Sequence, residues 1–203
     1  MQIKRTVCGI GYLGDGQFIA TDGKKATKCY EMWRGMLRRC YKPNSQKDKE
    51  NYKNCYVCKE WHNYQNFAKW YSENIYEFNQ EKMDLDKDLL IKDNKIYSPQ
   101  TCLILPHNIN SLLCKSKGSR GNLPLGVSQL KKNSYVVHCS TKFMNLTGNS
   151  TGYIGHFNNV NDAFQAYKEY KEKLVKYIAD KYKNDLPIKV YNALYGYEVN
   201  IND

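Results

Sequence analysis

At 203 residues the chain holds one ordinary domain or two small ones, long enough to bury a core without disulfide staples. A formal net charge of +11 and a pI near 9.1 favour a nucleic-acid partner over an acidic small substrate. No apolar run approaches the roughly 18 residues of a membrane helix, and MQIKRTVCGIGYL at the start has no secretory apolar block. The expectation is a cytoplasmic protein, in which eight cysteines read as reduced thiols or metal ligands rather than a disulfide framework.

The charge is uneven: Lys115 to Lys183 holds twelve Lys/Arg against four Asp/Glu, so most of the excess sits in one third of the chain. Residues 1–29 are Gly-rich, and GIGYLG (Gly9 to Gly14) has the dinucleotide-binding spacing. The turn sequences GDGQF and TDGKK follow it, where that motif needs a helix. No small-molecule cofactor is therefore expected. Tyr30 to Tyr41 reads as a helix, with Trp33, Leu37 and Cys40 on one side and Arg34, Arg38 and Arg39 on the other. A polar loop, KPNSQKDKENYKN, precedes a second helical stripe of Trp61, Tyr64, Ala68 and Tyr71, a spacing that builds core.

LDKDLL and NKIYSPQTCLIL then read as two short strands split by the turn IKDN, followed by the helix-like PHNINSLL. Strand, turn, strand and helix is the outline of a ββα metal site. There a carboxylate on the first strand and a side chain on the helix hold a divalent cation while a His draws a proton from water. Asp86 and, 22 residues on, Asn108 offer those two ligands, with Asn110 beyond. Lys87 follows Asp86, and its ordinary pKa near 10.4 suits it poorly to act as a base.

A Gly, Ser and Lys/Arg-rich linker over 115–121 leads to three alternating segments, GVSQLKK, SYVVHCSTKF and TGYIGHF, and a long amphipathic run from NNVNDAFQAYKEYKEKL. This order predicts a three-stranded antiparallel sheet backed by one helix. Along SYVVHCS, Tyr135, Val137 and Cys139 point one way, onto a stripe of Ala163, Ala166, Tyr170 and Leu174. Val136, His138 and Ser140 point the other way, where a sheet can enter the major groove. Residues 186–203 alternate weakly and read as a tail.

The stretch from MWRGMLRRCY through VCKEW, LDKDLL, NKIYSPQTC and PHNIN resembles phage-borne HNH homing-endonuclease-like proteins. LPLGV to YKEYKEKL resembles the APETALA2/ethylene-response-factor type of DNA-binding domain that those proteins carry at their C-terminal end. The resemblance implies an α+β protein. An HNH-like module would span 1–114, a linker 115–121, a DNA-binding domain 122–185 and a tail 186–203.

It puts Asp86 and Asn108 on magnesium-binding positions and Lys87 where the active enzymes have a general-base His, leaving His107 and His62 as substitutes. It puts Gly126, Ser128, Leu130, Thr151 and Tyr153 against the major groove and Tyr167 against backbone phosphate. Lys132 and Lys142 supply further charge. The family's sheet arginines are here Ser128, Ser140 and Thr151, so the implied target is changed and AT-tolerant.

Cys55 and Cys58 form a CYVC pair which, with Cys40 and Cys102, has the donors for a tetrahedral zinc site, buried free thiols being the alternative. Two functions follow: metal-dependent nicking of duplex DNA at a site chosen by the C-terminal domain, or site-specific repression by a disarmed relative. A protein-binding inhibitor with a Tyr-rich surface is a third class.

Overall fold

Thr27 opens the first helix of the computed structural model by accepting, through Oγ1, the Tyr30 N–H at 3.2 Å. The structure describes residues 6–114, 121–140 and 151–203, an α+β fold dividing into two compact units, Met1–His107 and Asn108–Asp203. Lys142 and the linker residues 115–120 lie outside the described residues.

In the first unit a short hairpin, β1 (Thr21–Asp22) and β2 (Lys25–Ala26), precedes α1 (Lys28–Tyr41), which buries Trp33, Met36 and Leu37. The GIGYLG run forms a small bridged turn, Val7 to Gly11. A Cβ at Gly11 would stand 2.5 Å from Leu37 Cδ1 and 2.9 Å from the Trp33 ring, so glycine there permits close packing on α1. The polar loop after α1 contains a short helix, α2 (Gln46–Asn51), started by Ser45 Oγ accepting from Asp48 N.

β3 (Tyr56–Val57) pairs in parallel with β5 (Ile96–Tyr97), and a 3-10 turn over Lys59–His62 leads to α3 (Tyr64–Asn74). Trp61, Tyr64, Phe67, Ala68 and Trp70 are buried, with Trp61 4.8 Å from Trp70 and 5.0 Å from Phe67 between ring centres. The Trp33 indole N–H donates to the Trp61 carbonyl at 2.7 Å, tying α1 to the turn before α3. Each large apolar side chain so buried contributes roughly 1.5–3 kcal/mol. Arg39, expected on the polar side of α1, instead lies over the rings of Tyr52 and Tyr97 at 5.5 and 5.6 Å.

β4 (Met83–Asp86) pairs antiparallel with β6 (Leu103–Pro106), and α4 (His107–Leu113) follows directly. The order strand, strand, helix along the chain is as expected, while the two strands differ from the expected ones. The first strand ends at Asp86 rather than running through LDKDLL, and NKIYSPQTCLIL splits into β5, which pairs with β3, and β6, which pairs with β4.

In the second unit β7 (Val127–Lys131), β8 (Ser134–His138) and β9 (Tyr153–Phe157) form the three-stranded antiparallel sheet in that order. α5 (Val160–Lys181) packs on it. Asn159 caps that helix, accepting from Asp162 N at 2.9 Å. Val127, Val137, Ala163, Phe164 and Tyr167 are buried together, and Tyr135, Cys139, Ile154 and Phe157 pack around them.

The stripe on α5 is richer than the expected Ala163, Ala166, Tyr170 and Leu174. Ala163, Tyr167, Lys171 and Leu174 recur at helical spacing and are buried, while Ala166 and Tyr170 are only half-buried flanks. The residues read as a tail form α6 (Ile188–Tyr195), which buries Val190 and Leu194 and returns Val199 to the core.

Candidate nucleic-acid interface

The registers settle which side chains share each face of the sheet. Val127, Val137 and Gly155 form one row toward α5, and Ser128, Val136 and His156 form the adjacent row on the opposite face. His138 lies opposite Tyr153 on this outward face, their rings 5.6 Å apart. Ser128, Leu130, His138, Tyr153 and His156 are exposed, Leu130 by 67 %. Ser134 Oγ and His156 Nε2 meet at 2.8 Å, which orients that imidazole. Lys132 is exposed in the β7–β8 turn beside Asn133, whose φ of 55° makes the reversal tight. The expected alternation along β8 holds.

Three expected DNA contacts play structural parts. Gly126 has φ +73°, and a Cβ there would fall 2.0 Å from the Tyr167 ring, so the glycine is needed for packing. Tyr167 itself is 7 % exposed, within the core, rather than presented to phosphate; its place in the 163, 167, 171 spacing is the physical reason. Thr151 is exposed but accepts from the Tyr153 N–H at 3.4 Å, shaping the start of β9.

Ser140 is exposed at the rim of a cleft of about 320 Å³ within the second unit, with Asn108, His138, Tyr167 and Lys171 among its walls. Lys171 is 5 % exposed and donates to the Leu112 carbonyl at 2.5 Å. Burial lowers its pKa from the ordinary lysine value.

The ββα region departs from its expected roles. Lys87 is buried, and its ammonium donates to both Asp88 carboxylate oxygens at 2.7 and 2.8 Å and to the Asn94 carbonyl at 2.7 Å. All three donors are spent holding the loop, so the nitrogen presents no lone pair to a water. Asn94 closes the same knot, donating to the carbonyls of Lys87 and Ile96.

Asp86 uses Oδ1 to accept from the N–H groups of Asp88 and Leu89 at 3.0 and 2.7 Å, and burial raises its pKa from the ordinary carboxylate value. His62 is packed, its Nε2 3.1 Å from the Val57 carbonyl and its ring edge-on to Tyr41. Asn108 belongs to the second unit and is described within it.

His107 is different. Its Nδ1 lies 2.6 Å from Asp84 Oδ2, and its side chain is 52 % exposed. A carboxylate only accepts, so Nδ1 carries the proton and Nε2 is the remaining basic position. Asp84 also meets Lys82 at 3.3 Å. The sequence reading missed Asp84, although strand alternation sets it two residues before Asp86 on the same face of β4.

Among the described residues no three His, Cys, Asp or Glu side chains gather closely enough to hold a metal ion. Cys40, Cys55, Cys58 and Cys102 are free thiols, and burial pushes Cys40 and Cys102 up to about 12. Among the described residues no helix is long and apolar enough to cross a membrane.

A wider sequence signal supports the sheet face. From Asn94 to Asn161 the chain has no Asp or Glu at all, and the sheet lies inside that stretch. Compared with protein-family models, with curated proteins and with solved structures, the chain matches none.

Proposed function

We propose that this chain binds double-stranded DNA through the outward face of β7, β8 and β9, as a site-directed DNA-binding regulator. The observation that carries the reading is an exposed β face of Ser128, Leu130, His138, Tyr153 and His156 set in a sequence stretch without a single carboxylate. A β ribbon fits the major groove, roughly 12 Å wide, and flanking lysines neutralise phosphates. The resemblance to phage HNH homing-endonuclease-like proteins with an APETALA2-type reader supports the same partner. Regulation is preferred over cleavage because Lys87 is consumed by the loop it stabilises.

The test is fluorescence anisotropy with labelled duplex DNA at low ionic strength. Wild type should bind, and His138→Glu, which sets a carboxylate on the face, should weaken binding at least about tenfold. A flat wild-type titration rejects the reading.

One observation favours a second reading, nicking of the bound duplex: the Asp84–His107 pair, half-exposed, has the arrangement of an oriented general base. His107 Nε2 would take a proton from the water that forms the new P–O bond while the old P–O bond breaks toward the sugar oxygen. Supercoiled plasmid incubated with and without magnesium decides it: nicking by wild type that His107→Ala loses supports the enzyme, and an intact plasmid rejects it.

A further inference from the structure

We propose that the β7–β9 face selects A·T pairs by packing apolar side chains against the thymine C5-methyl group in the major groove. The inference rests on the DNA-binding reading above and adds the chemistry of selection.

It follows from which readers this face holds. Guanine is read most often by a bidentate Arg or Lys, and cytosine N4 by a carboxylate. Among the described residues of the three strands there is no arginine and no carboxylate. The one lysine of the three strands, Lys131, ends β7 opposite Ser134 on the outward row, with Lys132 beyond it in the turn, so a single candidate guanine reader stands at the end of the face.

What the face does present is Leu130 at 67 % exposure, Tyr153 at 40 % and Val136 half-buried in the row between Ser128 and His156. One exposed leucine is ordinary on a protein surface. Three apolar groups on one sheet face, beside the hydroxyl of Ser128 and the imidazole of His138, form a surface that gains by covering a methyl group while hydrogen-bonding its neighbours. In the major groove only thymine carries that methyl. Charge complementarity commits the occupant to DNA rather than protein, since the acid-free stretch has Lys131 and Lys132 at its rim.

The experiment compares full-length protein on two duplex probes that differ only by the methyl: alternating poly(dA-dT) and alternating poly(dA-dU). Burying one methyl corresponds to about a fourfold gain in affinity, so two contacted methyls give on the order of tenfold in favour of the thymine polymer. Leu130→Ser, an exposed substitution that leaves the circular-dichroism spectrum and Tm unchanged, should bind both polymers and lose most of that ratio.

Equal wild-type affinity for the two polymers overturns methyl selection while leaving DNA binding standing. An undiminished ratio in Leu130→Ser overturns the assignment to this face. Binding to neither polymer overturns the DNA-binding reading itself, and a protein partner then becomes the occupant to seek.

Discussion

Asp86 and Gly126 show how a residue type that suggests chemistry can be explained by local geometry. Asp86 Oδ1 holds two backbone N–H groups of its own turn, yet burial raises the carboxyl's pKa. An acid with a higher pKa folded than unfolded binds more protons in the native state. Stability therefore falls as pH rises from the ordinary value near 3.9 through the raised one, and the ionised form carries the burial cost above it. Asn keeps the acceptor oxygen and removes the charge. Asp86→Asn should be more stable than wild type at pH 7, with the gap closing below about pH 4, as measured by urea denaturation across pH. Gly126→Ala meets both a φ of +73° and the Tyr167 ring, and should destabilise the second unit by roughly 3 kcal/mol in the same assay.

At the scale of elements, the α5–α6 pair decides whether the sheet has a stable backing. Glu172 Oε1 accepts from Lys168 Nζ at 2.6 Å and from Val199 N at 2.8 Å, and Lys168 also donates to the Val199 carbonyl. This latch fixes the last segment where Val199 is fully buried, with Val190 and Leu194 lining α6. Ending the chain after Asp185 should strip that cover and abolish the cooperative thermal transition of the second unit, read by circular dichroism. The sequence understated this segment because α6 is only eight residues long and its apolar positions are mixed with tyrosines. It likewise hid α2, none of whose six residues is buried and which has no apolar stripe, marked only by the Ser45 cap. Where apolar spacing was strong, as in α1, α3 and α5, the elements were legible.

For the whole molecule, the net charge of +11 predicts a binding equilibrium governed by phosphate contacts and therefore by salt. The logarithm of duplex affinity should fall linearly with the logarithm of salt concentration. Lys131→Ala or Lys132→Ala should each reduce the slope by about one, for all duplex sequences alike, in anisotropy titrations from low to physiological salt.

Spacing along the chain by itself determined the order of strands and helices, the three-stranded sheet with its helix, and which face of β8 points outward. Each of these follows from spacing along the chain and the hand of the backbone. Only the tertiary structure decided the fates of Lys87 and Asp84, because each depends on a partner outside its own strand. Lys87 is captured by a carbonyl seven residues on, and Asp84 gains its histidine from a strand and helix twenty-three residues further, distances that no local pattern encodes.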